Sequence, residues 1–182
     1  MRVGDRVTWA IYAASPDSAL ARRGMPQKGP GLFKYGHELL TAESTLHGGL
    51  ADYCVLRRHT PVVRLDAPAP LPVLALINCA VATVAGSLRL AGTLADRTVL
   101  IAGAGMLGVT ACALSRVAGA RRIVAVDVSA ERLAMAVQFG ADFVVNLAGP
   151  GVCLAEHLTA GLPGEPVEVA LDYSGAPLRG AG

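Results

Sequence analysis

The chain has 182 residues, 53 % of them apolar and 16 % charged, with a net charge of +2 at pH 7. That composition excludes a disordered acidic or basic tail, and the length allows one ordinary domain, or one domain and part of another. Nearly balanced charge leaves no electrostatic footprint for nucleic acid, and the pairs Arg22–Arg23 and Arg57–Arg58 read as solvated faces.

In chain order, residues 5–14 alternate and predict one strand, so the N-terminus is not patterned as a signal peptide. Residues 15–36 are rich in Pro, Gly, Arg and Lys and predict a long loop. GGLADYCVL (48–56) predicts a glycine turn feeding a second strand, PVVRL (61–65) a third, and DAPAPLP (66–72) a junction. The apolar run after Pro72 predicts a buried helix over 72–91. It contains Asn78 and small residues, so no membrane span is expected.

From residue 98 the pattern changes. TVLIA, RIVAVD, DFVVN and VEVALDYSG predict four apolar strands, and helices are expected from MLGVTACALSRVAG, from SAERLAMAVQFG and over 152–161. Ser129 is placed to cap the second of these helices. Continuous apolar strands alternating with helices predict a parallel sheet covered on both faces, an α/β class behind an antiparallel first part.

Cys54, Cys79, Cys112 and Cys153 form no C-x-x-C pair, which suits a reducing, cytoplasmic setting. Cys54, Cys112 and Cys153 read as small buried hydrophobes. His37 reads as an ordinary loop or strand histidine. His47, His59 and His157 have no ligand pattern around them.

Gly103, Gly105 and Gly108 form G-x-G-x-x-G directly after a strand and at the start of a helix, and the next strand ends in Asp127. That context is the dinucleotide-binding fingerprint. Gly103 permits the tight turn, Gly105 lets the backbone approach a pyrophosphate, and Gly108 allows close packing. The helix start, with Met106 and Leu107, offers amides to phosphate. Asp127 is suited to accept from both ribose hydroxyls and to repel a 2′-phosphate, so NAD is expected over NADP.

With this turn placed behind GDRV, GGLADYCVL and INCAVATV, the chain resembles the zinc-containing alcohol dehydrogenases of the medium-chain dehydrogenase/reductase superfamily. MPQKGPGLFKYGHE resembles the branch proposed to act alongside phosphonate catabolism. The resemblance implies a partial GroES-like catalytic domain over 1–70 and a partial Rossmann domain over 71–182, with hydride transfer between a small alcohol or carbonyl and NAD(P).

By the same resemblance, Cys79 corresponds to the third protein ligand of a catalytic zinc and Thr83 to a residue beside the nicotinamide. Arg132 corresponds to the basic residue near the adenosine ribose. Flanked by alanines, Cys79 also reads as a core residue. The four cysteines of the family's structural-zinc lobe correspond here to Ser15, Ser18, Ala21 and Gly29. No zinc is expected there, because thiolates are its ligands, and without that staple residues 15–36 are expected to be mobile. The chain reads as a fragment lacking both ends of the family pattern, and its first two catalytic-zinc ligands are expected to be absent.

Alternatives to a zinc-dependent enzyme are a non-catalytic NAD-binding remnant and a zinc-free quinone or enoyl reductase of the same superfamily. A chain completed by self-association or by a partner at an exposed sheet edge is a further reading. Neither nucleic acid nor a membrane is expected as a partner.

Overall fold

The computed structural model describes residues 1–42, 44–65 and 70–175, and the chain divides between Cys79 and Ala80 into two compact units. Residues 66–69 of the expected junction lie outside the described residues.

The first unit is antiparallel and irregular. β1 (Val7–Trp9) pairs with β4 (Val62–Arg64), and β2 (Tyr12–Ala13) pairs with β3 (Phe33–Lys34). The single strand expected over 5–14 is therefore two, because the backbone changes partner midway. The Ala10 N–H donates to the Pro61 carbonyl, while the Ile11 carbonyl accepts from Tyr35.

The loop expected over 15–36 carries α1 (Ala19–Arg22), a 3₁₀ turn at Pro26–Lys28 and β3. The Ser18 Oγ caps α1 by accepting from the Ala21 N–H at 3.0 Å, satisfying an amide that the helix leaves open.

The strand expected at 48–56 does not form. Residues 53–57 join no ladder, and Val55 is held by one bond to the Leu46 carbonyl. Alternation supplies the side-chain period of a strand, but a strand also needs a partner edge, and none of the described strands pairs there.

The centre of this unit is small. Ala13, Ala14, Phe33 and His47 are buried, with Phe33 and His47 edge to face at 5.2 Å. The Arg57 guanidinium lies 3.8 Å over the Phe33 ring. Among the described residues neither ring nitrogen of His47 has a hydrogen-bond partner.

The helix expected over 72–91 is interrupted. α2 (Leu71–Ala75), with proline in its first turn, is followed by a five-residue π-helical turn at Ile77–Val81 and then α3 (Ala82–Ala91). Only Ala80 and Val84 of this run are buried, while Leu71, Val73 and Leu76 stay exposed. An apolar run places helix but not depth, because it has no polar face to mark an outside.

The second unit follows the predicted order. β5 (Thr98–Ala102), α4 (Met106–Val117), β6 (Arg122–Asp127), α5 (Ala130–Gln138), β7 (Phe143–Asn146), α6 (Leu154–Gly161) and β8 (Val169–Asp172) alternate strand and helix. The four strands form one parallel sheet in the order β7-β6-β5-β8.

Ile101, Ile123, Val99 and Val124 are fully buried in that sheet, each contributing roughly 1.5–3 kcal/mol relative to exposure. Cys112 and Ser115 are buried on α4, and burial pushes the Cys112 thiol up to about 11. Cys153 is exposed at the cap position of α6, where the sequence suggested burial.

At the N-terminal ends of the strands, Arg122 makes a two-pronged contact with Glu165 at 3.0 and 3.2 Å. Arg121 lies 3.7 Å from Glu168, whose Oε2 accepts from the Thr98 N–H at 2.9 Å. Among the described residues no helix is long and apolar enough to cross a membrane.

Candidate functional site

The C-terminal ends of β5 and β6 carry the turn 103–108 and Asp127. Two of the three glycines are required by the protein's own packing. Gly103 has φ +87°, and a Cβ there would stand 2.6 Å from the Ser174 Cα. A Cβ on Gly108 would stand 1.8 Å from the Gly103 carbonyl oxygen, so helix and turn interlock where neither has a side chain.

Gly105 differs from both. As N-cap of α4 it has φ −72°, an ordinary value, and its Cβ position faces open space. Nothing inside the fold requires glycine at this position. The first α-helical bond runs from the Val109 N–H to the Gly105 carbonyl, so the amides of Met106, Leu107 and Gly108 precede the helical ladder.

Asp127 ends β6 only 8 % exposed. Its Oδ2 accepts from the Ala104 N–H at 2.7 Å and its Oδ1 from the Ser129 N–H at 2.9 Å. Arg132, 62 % exposed on α5, holds its guanidinium 4.0 Å from Oδ2.

A cleft of about 310 Å³ lies beside the carboxylate, lined by Ala102, Gly103, Asp127, Leu147, Leu154 and Ser174 among others. A second, of about 690 Å³, is lined by Gly105, Met106, Val109 and Met135; Val128 and Arg132 border both. Asp172, at the end of β8, is held below the usual carboxylate range by the backbone and hydroxyl of Ser174, which lines the smaller cleft. Ser174 and the wall residues Leu147 and Leu154 had no sequence signal, since a pocket wall assembled from separate loops leaves no spacing.

The linings of these two clefts do not include Thr83. Cys79 is exposed in the π-helical turn, and Thr83 is exposed on α3, its carbonyl accepting from the Ser87 hydroxyl at 3.2 Å. The Ser87 hydroxyl also meets that of Tyr173, which follows β8. Among the described residues no group of three or more His, Cys, Asp or Glu side chains is placed to hold a metal.

The "Zinc-binding dehydrogenase" family matches residues 107–179. A Mycobacterium tuberculosis protein named "Probable alcohol dehydrogenase adh" is 31 % identical over 174 residues, covering 91 % of this chain and 47 % of its own length. The L-threonine 3-dehydrogenase of Saccharopolyspora erythraea is 42 % identical over 79 residues, 43 % of this chain and 22 % of that enzyme.

In fold, the chain superposes on an alcohol dehydrogenase from Thermotoga maritima with a TM-score of 0.87 at 24 % identity, covering 97 % of this chain and 49 % of that one. The chain has the fold of the medium-chain dehydrogenase/reductases. It spans less than half the length of each of these three relatives. In this fold the antiparallel sheets are GroES-like, and the parallel sheet is the Rossmann type associated with NAD(P).

Proposed function

We propose that the second unit binds NAD at the turn Gly103–Gly108, as the cofactor portion of an alcohol dehydrogenase-like oxidoreductase. The observation that carries this reading is Gly105. Its missing side chain serves no internal packing, yet it stands where unladdered amides and a buried carboxylate converge. A pyrophosphate brought against that backbone explains the glycine.

When bound, the nicotinamide dinucleotide supplies hydride exchange with an alcohol or carbonyl carbon. The chain's own part is binding and orientation. Amides at the start of α4, including those of Met106 and Leu107, face phosphate oxygens, favoured by the helix dipole. After accepting one amide each, the two oxygens of Asp127 retain lone pairs for ribose hydroxyls. The carboxylate disfavours a 2′-phosphate, while the exposed Arg132 moderates that preference. The apolar walls at Leu147 and Leu154 suit an adenine ring.

By family correspondence we assign Thr83 to the nicotinamide side and Cys79 to the position of a zinc ligand. We propose that the chain alone does not assemble a catalytic zinc, which needs three protein ligands. We place residues 1–70 as a partial GroES-like catalytic region and 71–182 as a partial Rossmann region. On the stretch MPQKGPGLFKYGHE, we place the chain beside the phosphonate-associated branch.

Calorimetry on Gly105→Ala tests the reading. Unchanged thermal stability with affinity for NADH and ADP-ribose reduced roughly tenfold is expected, a close contact being worth on the order of 1.4 kcal/mol. Equal affinity in variant and parent would remove the central argument. Asp127→Ser should weaken NADH severalfold and narrow the preference over NADPH.

A further inference from the structure

We infer that Asp127 is a positioning residue for the phosphate turn, clamping its first amide before any ligand arrives. This role is separate from accepting ribose hydroxyls. A carboxylate only 8 % exposed has lost most of its water and must be compensated inside the protein. The compensation comes from two separate crossovers. Ala104 lies in the turn after β5, and Ser129 in the turn after β6 as the cap of α5. One side chain thus joins the starts of both helices.

Ala104 directly follows the last residue bonded to the sheet on the β6 side. The last ladder bond on this side runs from the Gly103 N–H to the Val126 carbonyl at 2.8 Å. In a continuing strand the next amide would face away from β6, but the turn brings the Ala104 N–H to the Asp127 side-chain oxygen instead. The turn is then fixed at three successive points: Gly103 N–H on Val126, Ala104 N–H on Asp127, and the Gly103 carbonyl against Gly108. The amides that follow, from Gly105 onward, inherit their direction from those anchors. Arg132 contributes little to the clamp, standing 4.0 Å away and 62 % exposed.

Asn is the informative replacement, because it keeps the shape of Asp and loses one acceptor. A single amide oxygen serves either Ala104 or Ser129, and the NH₂ group then faces the other N–H donor to donor. The binding arm of the test rests on the NAD reading; the exchange arm does not.

The binding arm compares ADP with 2′,3′-dideoxy-ADP, which lacks both ribose hydroxyls, on the full chain and on Asp127→Asn. The exchange arm follows amide hydrogen exchange in the same proteins without ligand. We expect Asp127→Asn to weaken the dideoxy compound roughly tenfold, as loss of a hydrogen bond to a charged group implies. The Ala104 or Ser129 amide should exchange at least about tenfold faster by the same reasoning, while Val124 in the sheet stays as protected as in the parent.

Dideoxy-ADP binding unchanged by the substitution overturns the inference, because ribose recognition then accounts for Asp127 entirely. Equal loss of protection at Val124 also overturns it, as a general weakening of the fold. If the parent binds neither nucleotide, the NAD reading fails and exchange alone decides the clamp. If Asp127→Asn does not fold, the parent decides: an Ala104 amide exchanging at the rate of a free peptide overturns the clamp, and strand-like protection supports it.

Discussion

The two units differ in how their strands find partners. In the second, each new strand is returned to the sheet by its own helix, and β5 and β6 run in register from Thr98↔Arg122 to Ala102↔Val126. In the first, strands of two or three residues are matched across long stretches, as Val7 is with Arg64. The helical return lets one apolar strand recruit the next and bury it on both faces. Without it, single bonds and an aromatic cluster hold the chain, and Leu39, Leu40, Leu50 and Tyr53 remain exposed. Stability is therefore expected to be concentrated in the parallel sheet.

The largest expected contrast is between two apolar truncations. Ile123→Ala, at a fully buried site, should cost about 3–4 kcal/mol in denaturant unfolding. Val63→Ala, on the exposed face of β4, should fall within about 0.5 kcal/mol. Comparable losses at both sites would show that the first unit contributes as much stability as the second.

Gly108→Ala should come next, at about 3 kcal/mol, since its Cβ would meet a backbone oxygen that cannot rotate aside. Thermal melting would reveal it. A near-neutral result would mean the turn and α4 separate easily, and the second unit would be less rigid than its core implies.

A smaller effect depends on pH. The unfolded Cys112 thiol ionises near 9.0, whereas burial holds the folded one to about 11. Between those values the unfolded chain has lost a proton that the native chain keeps. Stability should therefore fall as pH rises from about 9 to about 11, by up to about 2 kcal/mol. Cys112→Ala should flatten that slope, as followed by denaturation midpoints across the range. The same burial should make Cys112 the last thiol to react with iodoacetamide, after exposed Cys79 and Cys153.

The smallest contrast lies in the helix caps. Ser129→Ala should cost about 1 kcal/mol by releasing the Arg132 amide at the start of α5, and the melting temperature should drop accordingly. Ser18→Ala, capping the four-residue α1, should cost less, because so short a helix adds little packing.

The second unit was legible in sequence because its strands are short apolar runs punctuated by glycine turns. TVLIA, RIVAVD and the helix between them appear where the pattern put them. Elsewhere the pattern was incomplete. Alternation in GGLADYCVL carried the period of a strand without its partner, and the run after Pro72 gave no sign of the π-helical turn.

In the candidate site, Asp127 could be found from its distance to the glycines. Its bonds to Ala104 and Ser129 could not, because side-chain-to-backbone bonds across separate loops impose no residue type on the donors. Burial of His47 was equally hidden, depending on Phe33 closing over it from a separate strand.

The arginine–glutamate contacts at the far end of the sheet bear on the order of assembly. Arg121 and Arg122 belong to the β5-α4-β6 unit, whose contacts are comparatively local, while Glu165 and Glu168 arrive just ahead of β8. β8 must insert beside β5, Val169 meeting Val99, a closure across a long loop and an intrinsically slow event. A basic doublet already in place at the correct end of the sheet gives the incoming acidic segment a direction before any ladder bond forms. At high salt that guidance is screened, so the last strand should dock more slowly during refolding even where the finished sheet is scarcely weakened.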